Sequence, residues 1–218
     1  MAIIKQGILG GGSGSIAGVV MSSWKGRAIL KAKPLSVANP KTDLQVAQRT
    51  SFKAIAQLGS LLLTGYIQKI CNVVSGNITG FNKFCSDNAK AFSSVGVFVP
   101  SKFYVGGGIL PTVVVSAATA DEDDHSIAIN WAAQPTLPAV RLTDKSMCMA
   151  FCPETGDVWM STGLNTRADL GNNMILATPG SDLTGELQIY VGPVFKSSNG
   201  FDVSLKTVTS VFTCDFGV

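Results

Sequence analysis

At 218 residues the chain can bury one sizeable core or two small ones, and a composition of 46% hydrophobic and 14% charged residues excludes a disordered tail or linker. No apolar run approaches the roughly 18 to 20 residues that a bilayer-spanning helix needs. The net charge of +3 hides an asymmetry: up to residue 70 nine lysines and arginines face the single acid Asp43, while the remainder is net acidic, with DEDDH at 121–125 as its densest run. Opposite charge at the two ends favours head-to-tail contact between copies or docking on an acidic partner.

The opening, GILGGGSGSIAGVV at 7–20, contains a match to the dinucleotide fingerprint G-x-G-x-x-A in Gly12, Gly14 and Ala17. That motif works only between a strand and a helix, with an acid about 20 residues on. Here Ala2, Ile3 and Ile4 make a short approach, and the region where the acid belongs reads AILKAKPLSV. A Walker loop fails too, because Lys25 is followed by Gly26 and Arg27 instead of Ser or Thr. Glycine and serine also make a poor secretory core, and no small-x-small cleavage site follows, so the opening is expected to stay on the chain. Residues 1–38 are expected as an extended, Gly-rich, basic arm, held in order by a neighbouring subunit or by the chain's own domain.

Residues 39–108 are expected to be helical. Thr42 and Gln45 form a capping box, Asp43 complements the first turn, and Leu44, Ala47, Ser51, Ile55, Leu58 and Leu62 share a face, so a helix is predicted over 43–63. Gln45, Arg49, Lys53 and Gln57 line another face. GYIQKICNVV and GFNKFCSDNAKAF continue the helical pattern, the second with Phe81, Phe84, Cys85, Ala89 and Phe92 toward one side and Asn88 interrupting it. Gly106 to Gly108, followed by Pro111, reads as a boundary.

From residue 109 to 218 the period becomes two. PTVVVSAATA, HSIAINWAA, KSMCMAFCPE, DVWMS, NMILATP, ELQIYVGPVF and DVSLKTVTSVF read as seven short strands. The fold class expected is α+β: the arm and helical region, then an immunoglobulin- or fibronectin type III-like antiparallel β-sandwich with Trp131 and Tyr190 in its core.

Residues able to carry chemistry are sparse. Cys71, Cys85, Cys148, Cys152 and Cys214 are odd in number and lack a C-x-x-C pair, so they read as small buried hydrophobes. His125 sits with Asp121, Asp123 and Asp124 in a stretch without the closing glutamate and central glycine of a calcium loop, and is expected at a solvated hairpin tip. With no G-x-S-x-G elbow, neither an enzyme nor a cofactor, metal or small-molecule substrate is expected. Nucleic-acid binding is the minor alternative: the basic residues are strung over some seventy positions with few aromatics between them.

The stretch GVVMSSWKGRAILKAKPLSVANPKTDLQVAQRTSFKAI resembles a family of uncharacterised proteins from Bacteroidota and their bacteriophages. The resemblance rests on Trp24-Lys25-Gly26, Pro34, Asn39-Pro40-Lys41-Thr42, Gln48-Arg49 and Phe52, and more loosely on Asp144-Lys145, Pro153-Glu154 and Tyr190-Val191-Gly192. It implies a virion setting: a non-catalytic structural protein of head, connector or tail, whose partners are copies of itself and other virion proteins, with no membrane. The expected contact residues are Gly10, Gly11, Gly12, Gly14, Trp24, Lys25, Arg27, Asn39, Pro40, Arg49 and Lys53. The rival is a surface adhesin or glycan-binding module, which an exposed pair of Trp159 and Tyr104 beside polar loops would favour.

Overall fold

The computed structural model describes residues 3–4, 12–24, 27–121, 123–161, 165–178 and 183–217, and it divides into two units, Met1–Thr42 and Asp43–Val218. In the first, β1 (Ile3–Ile4), β2 (Gly12–Ile16), β3 (Val19–Trp24) and β4 (Arg27–Ala32) form an antiparallel sheet in chain order. The part of the glycine-rich opening that falls in β2 is therefore strand. Its extended backbone folds back twice, with Ile16 opposite Val19 and Trp24 opposite Arg27.

The second unit opens with α1 (Asp43–Leu61), which starts on the acid that suits the positive end of its dipole. Ser51, Ile55, Leu58 and Leu62 are buried as their spacing requires, but Leu44 is 84% exposed, so the predicted apolar face is covered only in its C-terminal half. The chain then widens into a π-helical segment, Leu63–Cys71, in which the Leu62 carbonyl accepts the N–H groups of both Tyr66 and Ile67 at 3.0 and 2.9 Å. The wider turn re-aims the apolar stripe, so that Tyr66, Ile67, Ile70 and Cys71 all point inward. After α2 (Asn72–Val74) comes α3 (Gly80–Asp87). Helix α3 stops where its stripe was interrupted, because the Asn88 amide donates to the carbonyls of Phe84 and Tyr104 and accepts the Tyr104 N–H at 2.7 Å. Those bonds satisfy a helix end and fix the following strand β5 (Tyr104–Val105) in one stroke.

Seven strands follow: β6 (Val115–Ala120), β7 (Ile127–Trp131), β9 (Met149–Phe151), β10 (Val158–Ser161), β11 (Gly171–Leu176), β12 (Glu186–Gly192) and β15 (Ser210–Asp215). They make one antiparallel sheet in the order β15-β12-β9-β10-β11-β7-β6. Two short pairs flank it: β8 (Lys145–Ser146) with β13 (Phe195–Lys196), and β5 with β14 (Thr207–Val208). The edge strands β15 and β6 lie against each other, and the Cys214 thiol donates to the Ala118 carbonyl at 3.8 Å. The fold is thus mixed helix and mostly antiparallel sheet, as expected, but the strands join one nearly closed sheet where an immunoglobulin-like sandwich would divide them into two.

The sheet separates two cores. Ile127, Ile129, Trp131, Cys148, Ala150, Trp159, Met174 and Ile189 fill its interior. Outside, Met149, Phe151 and Val158 pack with Ile55, Leu62, Tyr66, Phe84 and Phe103 of the helical layer. Strands β9 and β10 are therefore buried on both faces, whereas simple alternation predicts one wet face. Tyr190 is half-buried on the outer side, edge-on to Phe98 at 5.0 Å, and only Trp131 takes the interior position expected of both.

Gly106 to Gly108, expected as a boundary, bind the two halves together. The N–H groups of Gly107 and Gly108 both donate to the Ser204 carbonyl, and Leu110 exchanges bonds with Val203 and Leu205. A Cβ on Gly108 would collide with the carbonyl oxygen of Val203. Gly108→Ala is expected to cost about 1–3 kcal/mol of stability, since the obstacle is main chain that cannot swing aside; urea unfolding measures it, and an unchanged midpoint would contradict this packing.

Candidate assembly surface

The register of the N-terminal sheet sorts its side chains. Gly14 faces Met21, Ile16 faces Val19, and Met21 faces Leu30, so one face carries Gly14, Ile16, Val19, Met21 and Leu30 and no charge. The other carries Ser15, Val20, Ser22, Ile29 and Lys31. Ala17 turns the first hairpin at φ 49°, a region that a residue with a Cβ enters at a cost.

Among the described residues no side chain from 12 to 50 is buried; the first is Ser51. Leu30 is 62% exposed, and Ile16, Val19, Leu35 and Val37 are exposed with it. A small sheet with an apolar face needs that face covered to be stable in water.

Helix α1 continues the theme within the second unit. Its N-terminal half exposes Leu44, Val46 and Phe52 beside Arg49 and Lys53, which lie one turn apart. A groove of ≈ 390 Å³ runs between this helix and the 89–102 segment, lined by Leu44, Gln48, Ser51, Phe92 and Lys102 among others.

Of the contact residues expected from sequence, Gly12 and Gly14 lie in β2, and Trp24 and Arg27 are register partners where β3 meets β4. Asn39 and Pro40 are exposed in the coil before α1, and Arg49 and Lys53 are exposed on it. The structure thus brings together Trp24 and Arg27 as one pair, and Arg49 and Lys53 as another. Gly10, Gly11 and Lys25 lie outside the described residues.

The chemistry-bearing side chains are used internally. Burial pushes the thiols of Cys71 and Cys148 up to about 12, which keeps them protonated at neutral pH. His125 is half-buried at φ 50°, its ring edge-on to Phe216 and its carbonyl accepting the Trp159 indole N–H at 2.7 Å. Among the described residues no three His, Cys, Asp or Glu side chains are placed to hold a metal ion.

One buried polar cluster escaped the sequence reading, because Arg167 sits in a turn-rich stretch that promises exposure. Its guanidinium is 1% exposed, donates to Gln134 Oε1 at 2.6 Å and to the Pro111 carbonyl at 2.8 Å, and stacks over Phe195 at 4.1 Å. Asp144, equally buried, lies 3.7 Å away. Burial raises the Asp144 carboxyl from its ordinary value, with Arg141 and Arg167 pulling it back down, and it lowers the Arg167 guanidinium, with Asp144 opposing. Next to Asp144, the Ser146 hydroxyl accepts the Asn172 amide, and its carbonyl accepts the Ser161 hydroxyl. The cluster therefore holds β8 and its neighbouring loops in place.

Arg167→Ala is expected to lose about 3–5 kcal/mol, because it leaves the buried Asp144 carboxylate only the partly exposed Arg141, at 3.7 Å, as a cationic partner. The double variant Asp144→Asn, Arg167→Met is expected to lose less than this single one. Denaturant unfolding of both checks it; equal losses would mean that the charge is not the cause.

A family model described as a family of unknown function (DUF6266) matches residues 11–209. No curated protein and no solved structure matches the chain.

Proposed function

We propose that this chain, which belongs to the family DUF6266, is a non-catalytic structural protein of a bacteriophage virion that assembles through its N-terminal sheet. One observation carries the reading: among the described residues of 12–50, which form strands and the start of a helix, no side chain is buried, although they include an uncharged face of Ile16, Val19, Met21 and Leu30. Such a face is stable when another chain covers it, and copies of the same chain are the simplest cover. The exposed stretch of α1, with Phe52 beside Arg49 and Lys53, extends the same apolar and basic character. Support for the virion setting comes from the resemblance carried by Trp24-Lys25-Gly26 and Asn39-Pro40-Lys41-Thr42.

The glycan-binding rival loses the feature that would have favoured it. Trp159 is fully buried inside the sheet, and the Tyr104 ring is capped by the Lys206 ammonium at 4.5 Å, so this pair offers no open aromatic platform.

Light scattering over a range of concentrations tests the assembly reading. The full chain is expected to exceed monomer mass, while both a version lacking residues 1–34 and the variant Val19→Lys, Leu30→Lys remain folded monomers. A full chain that stays monomeric throughout, or assembly that ignores both changes, overturns it. Peptide mass spectrometry of purified particles of a phage encoding the chain tests the virion setting, and absence from the particles would refute it.

A further inference from the structure

The seven-stranded sheet has two ends of opposite sign. Because all its pairings are antiparallel, the 121–126, 152–157 and 177–185 connections lie at one end and the 132–148, 162–170 and 193–209 connections at the other. The first end carries Asp121, Asp123, Asp124, Glu154, Glu186 and Asp215, and its connections contain no lysine or arginine. Every lysine and arginine from residue 109 onward lies in the connections of the second.

Each end also sets like charges directly opposite one another. Glu186 is the register partner of Asp215, and Lys145 is the register partner of Lys196. Directly opposed like charges destabilise an antiparallel pair, so both ends hold a repulsion that a counter-charge would relieve. At the basic end Lys69 joins the other two lysines around a pocket of ≈ 320 Å³, floored by Met147 and edged by Ser197 and Ser198. Lys196 Nζ donates to the Lys69 carbonyl at 3.0 Å, which ties the strand to the end of the π-helical segment. No acid lines the pocket, and none of its lysines has an ion-pair partner among the described residues.

The acidic end carries a tight turn. Asp121 Oδ1 accepts the N–H groups of Asp123 and Asp124 at 3.0 and 3.2 Å, and the Asp121 N–H donates to the Ser126 carbonyl. This closed turn leaves the side chains of Asp123 and Asp124 exposed. His125, next in the chain, packs on Phe216, which follows Asp215, so the turn and the Glu186–Asp215 pair share one end.

The geometry points to a second copy of this chain as the occupant: the pocket of Lys69, Lys145 and Lys196 receives the acidic turn that carries Asp121, Asp123 and Asp124 of the next molecule. The contact is head-to-tail, so a pair keeps one free pole at each outer end and further copies extend it into a ring or a filament. It uses neither the N-terminal sheet nor α1, and it goes beyond the assembly reading above.

Sedimentation of the full chain tests it at about 0.02 M and about 0.5 M salt, between which the screening length falls from roughly 20 Å to roughly 4 Å. Wild type is expected to associate at low salt and to weaken at high salt. The pocket variant Lys69→Glu, Lys145→Glu and the turn variant Asp123→Lys, Asp124→Lys are each expected to weaken that component roughly tenfold or more. Mixed in equal amounts they regain association as alternating copies, because the intact turn of the pocket variant meets the intact pocket of the turn variant, and the lysine turn of the one meets the glutamate pocket of the other. One chain carrying all four substitutions associates again. A salt-insensitive wild type, single variants that associate as wild type does, or a mixture no stronger than its parts would each overturn the proposal. Val19→Lys, Leu30→Lys leaves this salt-sensitive component intact, so the failure of one contact is distinguishable from that of the other.

Discussion

Strands β9 and β10 are covered on both faces, with only Met160 partly exposed, and the two cores that they separate must form together. From β9, Ala150 points into the sheet's interior while Met149 and Phe151 point to the helices; from β10, Trp159 points in and Val158 out. Neither core can be lost without stripping one side of this hairpin. The helical layer is thus part of the same cooperative body as the sheet, although in sequence it lies before all seven strands.

The helices meet that outer face through a change of helical pitch. A straight continuation of α1 would carry its stripe away from the sheet; the π-helical turns redirect Tyr66, Ile67 and Ile70 toward it. Gly65 permits the approach, since a side chain there would strike the Met160 thioether. Tyr66, fully covered, keeps its hydroxyl satisfied by accepting the Gly106 N–H at 3.0 Å, so the glycine crossing and the helical layer are locked by one bond. Burial also raises the Tyr66 hydroxyl well above its ordinary value, which keeps it neutral in that position.

The strands were legible because their period of two is local information, and so was α1, whose start is marked by Asp43. The sheet's closure was not legible. Whether β12 pairs with β9 or with a second sheet is decided by partners forty residues apart, and an alternating pattern is the same in either case. The end of α3 at Asn88 left a trace, since a polar residue interrupted the stripe, but its bond partner Tyr104 could be supplied only by the fold. Arg167 left none: a turn-rich sequence around an arginine reads as surface, and burial came from Asp144, Gln134 and Pro111, all distant in the chain. Of the contact residues, the pairing of Trp24 with Arg27 follows from a hairpin that the glycine-rich reading treated as a single extended run. The cluster of Lys69, Lys145 and Lys196 draws on three separate segments, which no local pattern could join.

A strand covered on both sides leaves evolution little room. Residues 148–152 and 158–159 have no position where a polar side chain could be absorbed at small cost, so variation there must be compensated in two cores at once. Residues 12–50 are the reverse case. With no described side chain buried inside the molecule, their sequence is free to drift in everything except what is read from outside. The two segments are therefore under different authorities: one answers to its own packing, the other to whatever covers it.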